Sequence, residues 1–126
     1  MMVAMMGGPN GTMKRDLEAD HYVMLKMGFG ILHVNYSGSC GYGTEQLRTV
    51  LHKMYELNAP ELVELIQVVL KDRPHIDPEQ VHVKGRSYSA GLVAYLGSHY
   101  PQHFKSGIIL NGTLEWGSFY WSADTP

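Results

Sequence analysis

Apolar and polar residues alternate in blocks along the chain, and the blocks predict strands followed by helices. Short apolar runs, which are typical of buried strands, occur at residues 1–6, 30–36, 81–84 and 106–111. Longer segments between them carry apolar residues three or four positions apart, as amphipathic helices do. The alternating order predicts one domain of the α/β class, with a mostly parallel sheet and helices on both faces.

The first two helices are bounded by recognisable start and stop signals. The first is predicted over residues 12–27, with Thr12 as its cap and Gly28 at its end. Its predicted buried side consists of Met13, Leu17, Met24 and Leu25. The second is predicted over residues 60–71, because Pro60 suits a first helical turn. Its predicted buried stripe consists of Leu62, Ile66, Val69 and Leu70.

The segment GRSYSAG at residues 85–91 joins the third predicted strand to the third helix. That helix is predicted over residues 89–99, because Pro101 must end it. Ser87 then lies at a sharp turn between a strand and a helix N-terminus, which is the placement of a nucleophile elbow. Taken alone, a serine in this pattern is more often a helix cap. The elbow hypothesis therefore depends on what surrounds it.

The loops that follow three of the predicted strands contain Gly8, residues 37–43 and Ser87. In a parallel sheet these loops meet at the carboxyl edge, where ligands bind. A serine nucleophile also needs N–H donors for the oxyanion of acyl transfer. The candidates are the backbone N–H of Tyr88 and an N–H of the Gly7–Gly8 loop, although such a loop is often a simple turn.

Composition and charge exclude several classes of partner. The net charge of −2 is small and the basic residues are scattered, so no nucleic acid partner is expected. No apolar run approaches the roughly 18 residues of a membrane span, and the apolar start at residues 1–6 lacks the basic leader of a signal peptide. The single cysteine, Cys40, suits a reducing compartment, so we expect the protein to be cytoplasmic.

The sequence does not complete a catalytic triad after Ser87. Hydrolases with this elbow place an acid and then a histidine after the serine. Here His99 and His103 precede both Glu115 and Asp124. The two histidines have the spacing of a metal pair, but a proline between them breaks the helix, so we expect no metal or cofactor. Either the base and acid lie beyond these residues, or the chain does not catalyse.

Three further motifs accompany the elbow. They are MGGP at residues 6–9, NYSGSCGYG at residues 35–43 and IDP at residues 76–78. Together with residues 85–91 they resemble the catalytic domain of the prolyl oligopeptidase family of serine peptidases, and within it the acylaminoacyl-peptidases. The second motif is similar to the NYRGSTGYG of that branch. The resemblance extends over nearly the whole chain.

The resemblance implies an α/β-hydrolase fold in which Ser87 is the catalytic nucleophile and the N–H groups of Tyr88 and Gly8 form the oxyanion hole. It implies release of N-acylated amino acids from blocked peptides, so the implied partner is an N-acylated peptide. It also allows the full-length protein to be a homo-oligomer. Residues 1–126 would form a partial catalytic domain, truncated at both ends, without the preceding β-propeller and without the aspartate and histidine that follow.

Four positions depart from the pattern of the family. Met6 replaces a histidine, Ser37 replaces an arginine, and Ser89 and Ala90 replace two glycines after the elbow. We expect the Ser89 side chain to crowd the packing of helix against strand, because glycine tolerates a closer approach. Two alternatives stand beside the peptidase: an inactive relative or binding module, and an esterase or lipase on the same fold.

Overall fold

The computed structural model describes residues 1–14, 16 and 18–123, and its centre is a parallel four-stranded sheet. The strands are β1 (Met2–Met5), β2 (Ile31–Val34), β3 (His82–Arg86) and β4 (Ser106–Leu110). They lie in the order β2-β1-β3-β4, and every neighbouring pair is parallel. The predicted strands and the predicted parallel sheet are therefore confirmed.

Five helices surround the sheet within the described ranges. They are α1 (Ala19–Lys26), α2 (Thr44–Arg48), α3 (Met54–Asp72), α4 (Tyr88–His99) and α5 (Trp116–Ser122). A short 3-10 turn at Pro101–His103 follows α4, so Pro101 ends that helix as predicted. None of the described helices is long and apolar enough to cross a membrane.

The first helix is shorter than predicted, because the segment before it is bonded to another loop. The Thr12 hydroxyl donates to the Cys40 carbonyl at 2.6 Å, and the Met13 N–H donates to the Asn35 side chain at 2.7 Å. These contacts bind Thr12 and Met13 to the segment after β2, and α1 begins only at Ala19. The predicted buried side is wrong as well. Leu25 is exposed, Met24 is half-buried, Leu17 lies outside the described residues, and the buried side chain of α1 is His21.

The helix α3 begins six residues before the predicted Pro60, which lies inside it. A proline inside a helix removes one hydrogen bond and crowds the preceding turn. Here Pro60 is exposed, while the adjacent Asn58 and Ala59 are fully buried, so tertiary packing offsets the local cost. The predicted stripe is confirmed at Leu62 and Ile66, which are each 1% exposed.

The two faces of the sheet are covered by different helices. On one face, alternate strand residues including Val3 and Val83 pack in the core with Leu62 of α3 and Leu92 of α4. The intervening residues Ala4, His33 and Lys84 share one register on the opposite face. There α1 is attached by an ion pair between Asp20 and Lys84. Helices on both faces are thus confirmed.

The edge of the sheet at β4 is exposed along its whole length. The following helix, α5, is capped by Glu115, whose carboxylate accepts hydrogen bonds from the N–H groups of Ser118 and Gly117. A hydrogen bond from the Ser118 side chain, together with those from the two N–H groups, holds the pKa of Glu115 below its usual value. Neither α5 nor α2 was predicted, because helices of seven and five residues are too short to show a helical period.

Candidate active site

Ser87 lies between β3 and α4 in a backbone conformation that side chains rarely adopt. Its φ is 58° and its ψ is −121°, although it carries a side chain. The residue is exposed, and its hydroxyl makes no capping hydrogen bond to α4. Ser87 is therefore not a side-chain cap of this helix. Strained backbone of this kind concentrates at functional sites, and it is the geometry that an elbow requires.

The turn is possible because glycine backbones approach it closely on two sides. A methyl group at Gly85 would lie 2.2 Å from the carbonyl oxygen of Ser89. Because glycine has no Cβ, the start of α4 can pack this closely against β3. A methyl group at Gly7 would lie 2.7 Å from the Arg86 carbonyl oxygen and 3.2 Å from the Ser87 Cβ. The loop after β1 therefore lies directly against the elbow, as the sequence predicts.

The two N–H groups predicted to bind an oxyanion are available for a ligand. Tyr88 is the first residue of α4, so its N–H has no partner within the helix. Gly8 has a φ of +74° and open space at its Cβ position. Among the described residues, neither N–H donates a hydrogen bond. The Tyr36 hydroxyl donates to the carbonyl of Met6 at 2.8 Å and also lies 3.3 Å from that of Gly8, which fixes the loop.

A series of hydrogen bonds connects the elbow to the loop after β2 through the interior. The Tyr88 hydroxyl donates to the Asn58 side chain at 2.8 Å, and the Asn58 amide donates to the Ser37 carbonyl at 2.9 Å. The Ser37 hydroxyl in turn donates to Glu61. Sequence reasoning missed Asn58, because it lies before the predicted helix and its partners are distant in sequence. Asn58 is fully buried, so its hydrogen bond connects the elbow to α3 in the interior of the fold.

Ser89 does not crowd the helix, so the expectation drawn from its sequence position is wrong. The residue is fully buried, and its hydroxyl accepts a hydrogen bond from the Arg86 N–H at 2.9 Å. It also lies 3.1 Å from the Met5 carbonyl oxygen. The side chain is accommodated because its polar atom is hydrogen-bonded to backbone groups of the strands.

The histidines that follow Ser87 lie away from its hydroxyl. His99 is at the far end of α4, about 18 Å along the helix axis from Ser87 at 1.5 Å per residue. Its ring stacks on Tyr95 with a centroid distance of 3.9 Å. The Nδ1 of His103 lies 3.4 Å from the Gln67 amide. Within the described part of the chain, no histidine is hydrogen-bonded to Ser87.

The opposite face of the sheet carries the residues that could hold a metal. One ligand atom each of Glu18, Asp20 and His21 lies within 4.8 Å of the others. Asp20 is already paired with Lys84, and the Nδ1 of His21 lies 3.1 Å from the Nε2 of His33. These contacts attach α1 to the sheet, so Asp20 and His21 serve to hold the helix in place.

Replacing Ser87 by glycine should stabilise the fold relative to replacing it by alanine. Glycine adopts a positive φ without steric cost, and we expect a difference of about 1 kcal/mol in the free energy of unfolding. Ser98, in the last turn of α4 and outside the residues with a positive φ, is the matched control. There glycine should be less stable than alanine, by up to about 1 kcal/mol. Urea unfolding of the four variants measures both differences, and the same sign at both positions would contradict the strained elbow.

The buried tyrosines Tyr36 and Tyr88 should make the fold sensitive to alkali. Burial raises the pKa of both hydroxyls, and neighbouring tyrosines raise it further. Their stabilising effect is complete below the unfolded-state pKa near 10 and is lost as pH rises above it, by about 1.4 kcal/mol per pH unit for each tyrosine. Urea unfolding between pH 8 and about 11 measures the slope. Tyr88→Phe should reduce it. Equal slopes in the parent protein and in Tyr88→Phe would contradict the assignment.

The parallel sheet, its helices on both faces and the strained serine after β3 define the α/β-hydrolase fold. The family follows from comparison with known proteins. The model of the prolyl oligopeptidase family matches residues 15–126, and the chain belongs to this family. The resemblance seen in the sequence motifs is confirmed.

Individual relatives agree with this assignment. The acylamino-acid-releasing enzyme of Sus scrofa is 26% identical over 126 residues, which are 100% of this chain and 17% of that enzyme. An acylaminoacyl peptidase solved in complex with Z-Gly-Gly-Phe-chloromethyl ketone is 27% identical, with a TM-score of 0.93 over 98% of this chain and 20% of that one. The uncomplexed acylaminoacyl peptidase of Pyrococcus horikoshii is also 27% identical, with a TM-score of 0.92 over the same shares. The chain thus spans about a fifth or less of these relatives.

Proposed function

We propose that this chain carries the nucleophile of a serine hydrolase of the acylaminoacyl-peptidase type, which releases N-acylated amino acids from blocked peptides. The observation that carries the proposal is the exposed Ser87 in its strained turn, with the Gly7 loop packed against it. The names of the relatives support the substrate class, an N-acylated peptide.

In the proposed reaction, the Ser87 oxygen attacks the carbonyl carbon of the acylated residue and its proton passes to a general base. The carbonyl oxygen becomes negative and is bound by the N–H groups of Tyr88 and Gly8. The carbon–nitrogen bond then breaks, and the peptide leaves as an amine that takes the proton from the base. Water, activated by the same base, hydrolyses the acyl-enzyme and restores the Ser87 hydroxyl.

We propose that the base and its acid partner are a histidine and an aspartate outside these 126 residues. Two observations support this: no described histidine is hydrogen-bonded to Ser87, and the chain spans 17% of the Sus scrofa relative. The resemblance to the family further supports the proposal that residues 1–126 are part of a catalytic domain and that a β-propeller lies elsewhere in the protein. It also allows the full-length protein to be a homo-oligomer. The exposed, unpaired thiol of Cys40 favours a reducing compartment and hence the cytoplasm.

Substrate comparison tests this proposal on the product of the natural gene. We expect it to hydrolyse an N-acetylated amino-acid anilide with a higher kcat/KM than the same anilide with a free amino group. A simple aryl ester serves as the third substrate, because hydrolases on this fold accept many acyl groups. Hydrolysis of the ester alone would identify an esterase, and hydrolysis of none would identify an inactive relative. Either result would overturn the proposal that the protein is a peptidase.

A further inference from the structure

The hydroxyl of Ser89 connects two backbone segments that both lead into the proposed site. It accepts a hydrogen bond from the Arg86 N–H at 2.9 Å. Its own proton has two acceptors within reach, the Met5 carbonyl at 3.1 Å and the Arg86 carbonyl at 3.0 Å. Ser89 is 0% exposed, so no bulk water competes for these groups.

The register of the sheet shows where the two groups that this hydroxyl contacts lie. The first inter-strand hydrogen bond between β1 and β3 runs from the His82 N–H to the Met1 carbonyl at 2.8 Å. Parallel pairing repeats every two residues, and Met5 lies opposite Gly85. The repeat therefore places the Arg86 N–H opposite the Met5 carbonyl at the end of the ladder. The Ser89 hydroxyl contacts both groups and so adds a side-chain bridge at this end of the ladder.

We propose that Ser89 is a positioning residue that holds the loop after β1 in register with the elbow. Met5 leads directly into residues 6–8, which carry one proposed oxyanion donor. Arg86 leads directly into Ser87 and Tyr88, which carry the nucleophile and the other donor. The catalytic part of this inference rests on the proposed function, whereas the bridge itself rests on the contacts of Ser89 alone.

The bridge matters because an oxyanion hole depends on the distance between its two donors. Donors act at about 2.7–3.1 Å from the developing charge, and loss of one typically lowers kcat about 10²-fold to 10³-fold. A displacement of about 1 Å in a positioning group can cost about 10²-fold. Removing the Ser89 hydroxyl leaves both donors in place but removes a side-chain link between the segments that carry them, so we expect a loss of about tenfold to 10²-fold.

The experiment compares Ser89→Ala and Ser89→Gly with Ser98→Ala in the natural gene product. Both changes at 89 remove the hydroxyl, and glycine is the residue that the family pattern has there, so at least one variant should fold. Ser98 is the matched control, because its hydroxyl lies on the same helix and bonds only to helix carbonyls, at 2.7 Å for Ala94 and 3.3 Å for Tyr95. The readouts are amide hydrogen exchange of the hydrogen-bonded residues Arg86 and Gly11, the rate of fluorophosphonate labelling, and kcat and KM.

We expect amide exchange of Arg86, whose N–H donates to the Ser89 hydroxyl, and of Gly11, whose N–H donates to the Gly8 carbonyl, to become at least about tenfold faster in both Ser89 variants and to stay unchanged in Ser98→Ala. Labelling rate and kcat should fall about tenfold to 10²-fold, with KM within about twofold of the parent. Unchanged exchange would overturn the bridge, and faster exchange with unchanged kcat would overturn its positioning role. If the parent protein is neither labelled nor active, the proposed function fails separately, and the exchange result still decides the bridge.

Discussion

Turnover of the N-acetylated anilide should fall about 10⁴-fold or more when Ser87 is replaced by alanine in the natural gene product. The methyl side chain cannot attack a carbonyl carbon, so the acyl-enzyme cannot form. Only transition-state binding by the N–H groups of Tyr88 and Gly8 remains, and these belong to the backbone. The change should lower kcat with little effect on KM, and initial rates over a range of substrate concentrations measure both.

The exposed Ser98 on the same helix provides the control for this loss. Ser98→Ala removes a hydroxyl from α4 without touching the elbow, and its turnover should equal that of the parent. Ser87→Ala should also keep the parent's melting temperature within a few degrees, because an exposed hydroxyl with no capping hydrogen bond is removed. Residual turnover above about 1% in a folded Ser87→Ala protein would show that another group is the nucleophile.

Gly85→Ala should be the most damaging single methyl group added to this fold. Its Cβ would lie 2.2 Å from the Ser89 carbonyl oxygen and 2.4 Å from the Ser89 carbonyl carbon. These are backbone atoms at the start of α4, so they cannot rotate away, and the helix must move off β3. Overpacking typically costs about 1–3 kcal/mol and sometimes more, and we expect at least 3 kcal/mol here because the contact is with backbone.

The matched control for this change is Gly97→Ala, also in α4. A methyl group at Gly97 meets no atom within 4 Å, and alanine is the better helix former by about 1 kcal/mol. The two substitutions should therefore shift the free energy of unfolding in opposite directions, which urea titration measures. A loss below about 1 kcal/mol for Gly85→Ala would show that α4 is not held against β3 as described.

The strands and the position of the elbow could be predicted from the sequence because their signals are local. Apolar runs mark the strands, and the turn at Ser87 follows from a glycine and small residues within a few positions. The start of α3 could not be predicted in this way. Pro60 is a strong local signal for a helix start, but burial of Asn58 and Ala59 against the rest of the fold extends the helix past it.

The hydrogen bonds that support the site could not be predicted from local sequence either, because they join residues far apart in the chain. Asn58 binds Tyr88, which is 30 positions away, and Ser89 binds Met5, which is 84 positions away. Such pairs form only when the sheet brings distant segments together. Ser89 shows the consequence most clearly, because a side chain that was expected to crowd the packing instead bridges two strands.

Covalent labelling tests the central claim, that Ser87 is an activated nucleophile, most directly. The product of the natural gene is treated with a fluorophosphonate probe and digested, and the modified residue is located by mass spectrometry. We expect one adduct, on Ser87, which is absent in Ser87→Ala and is suppressed by an excess of an N-acetylated peptide. A folded protein that remains unlabelled at Ser87, or is labelled at another serine instead, would contradict the account.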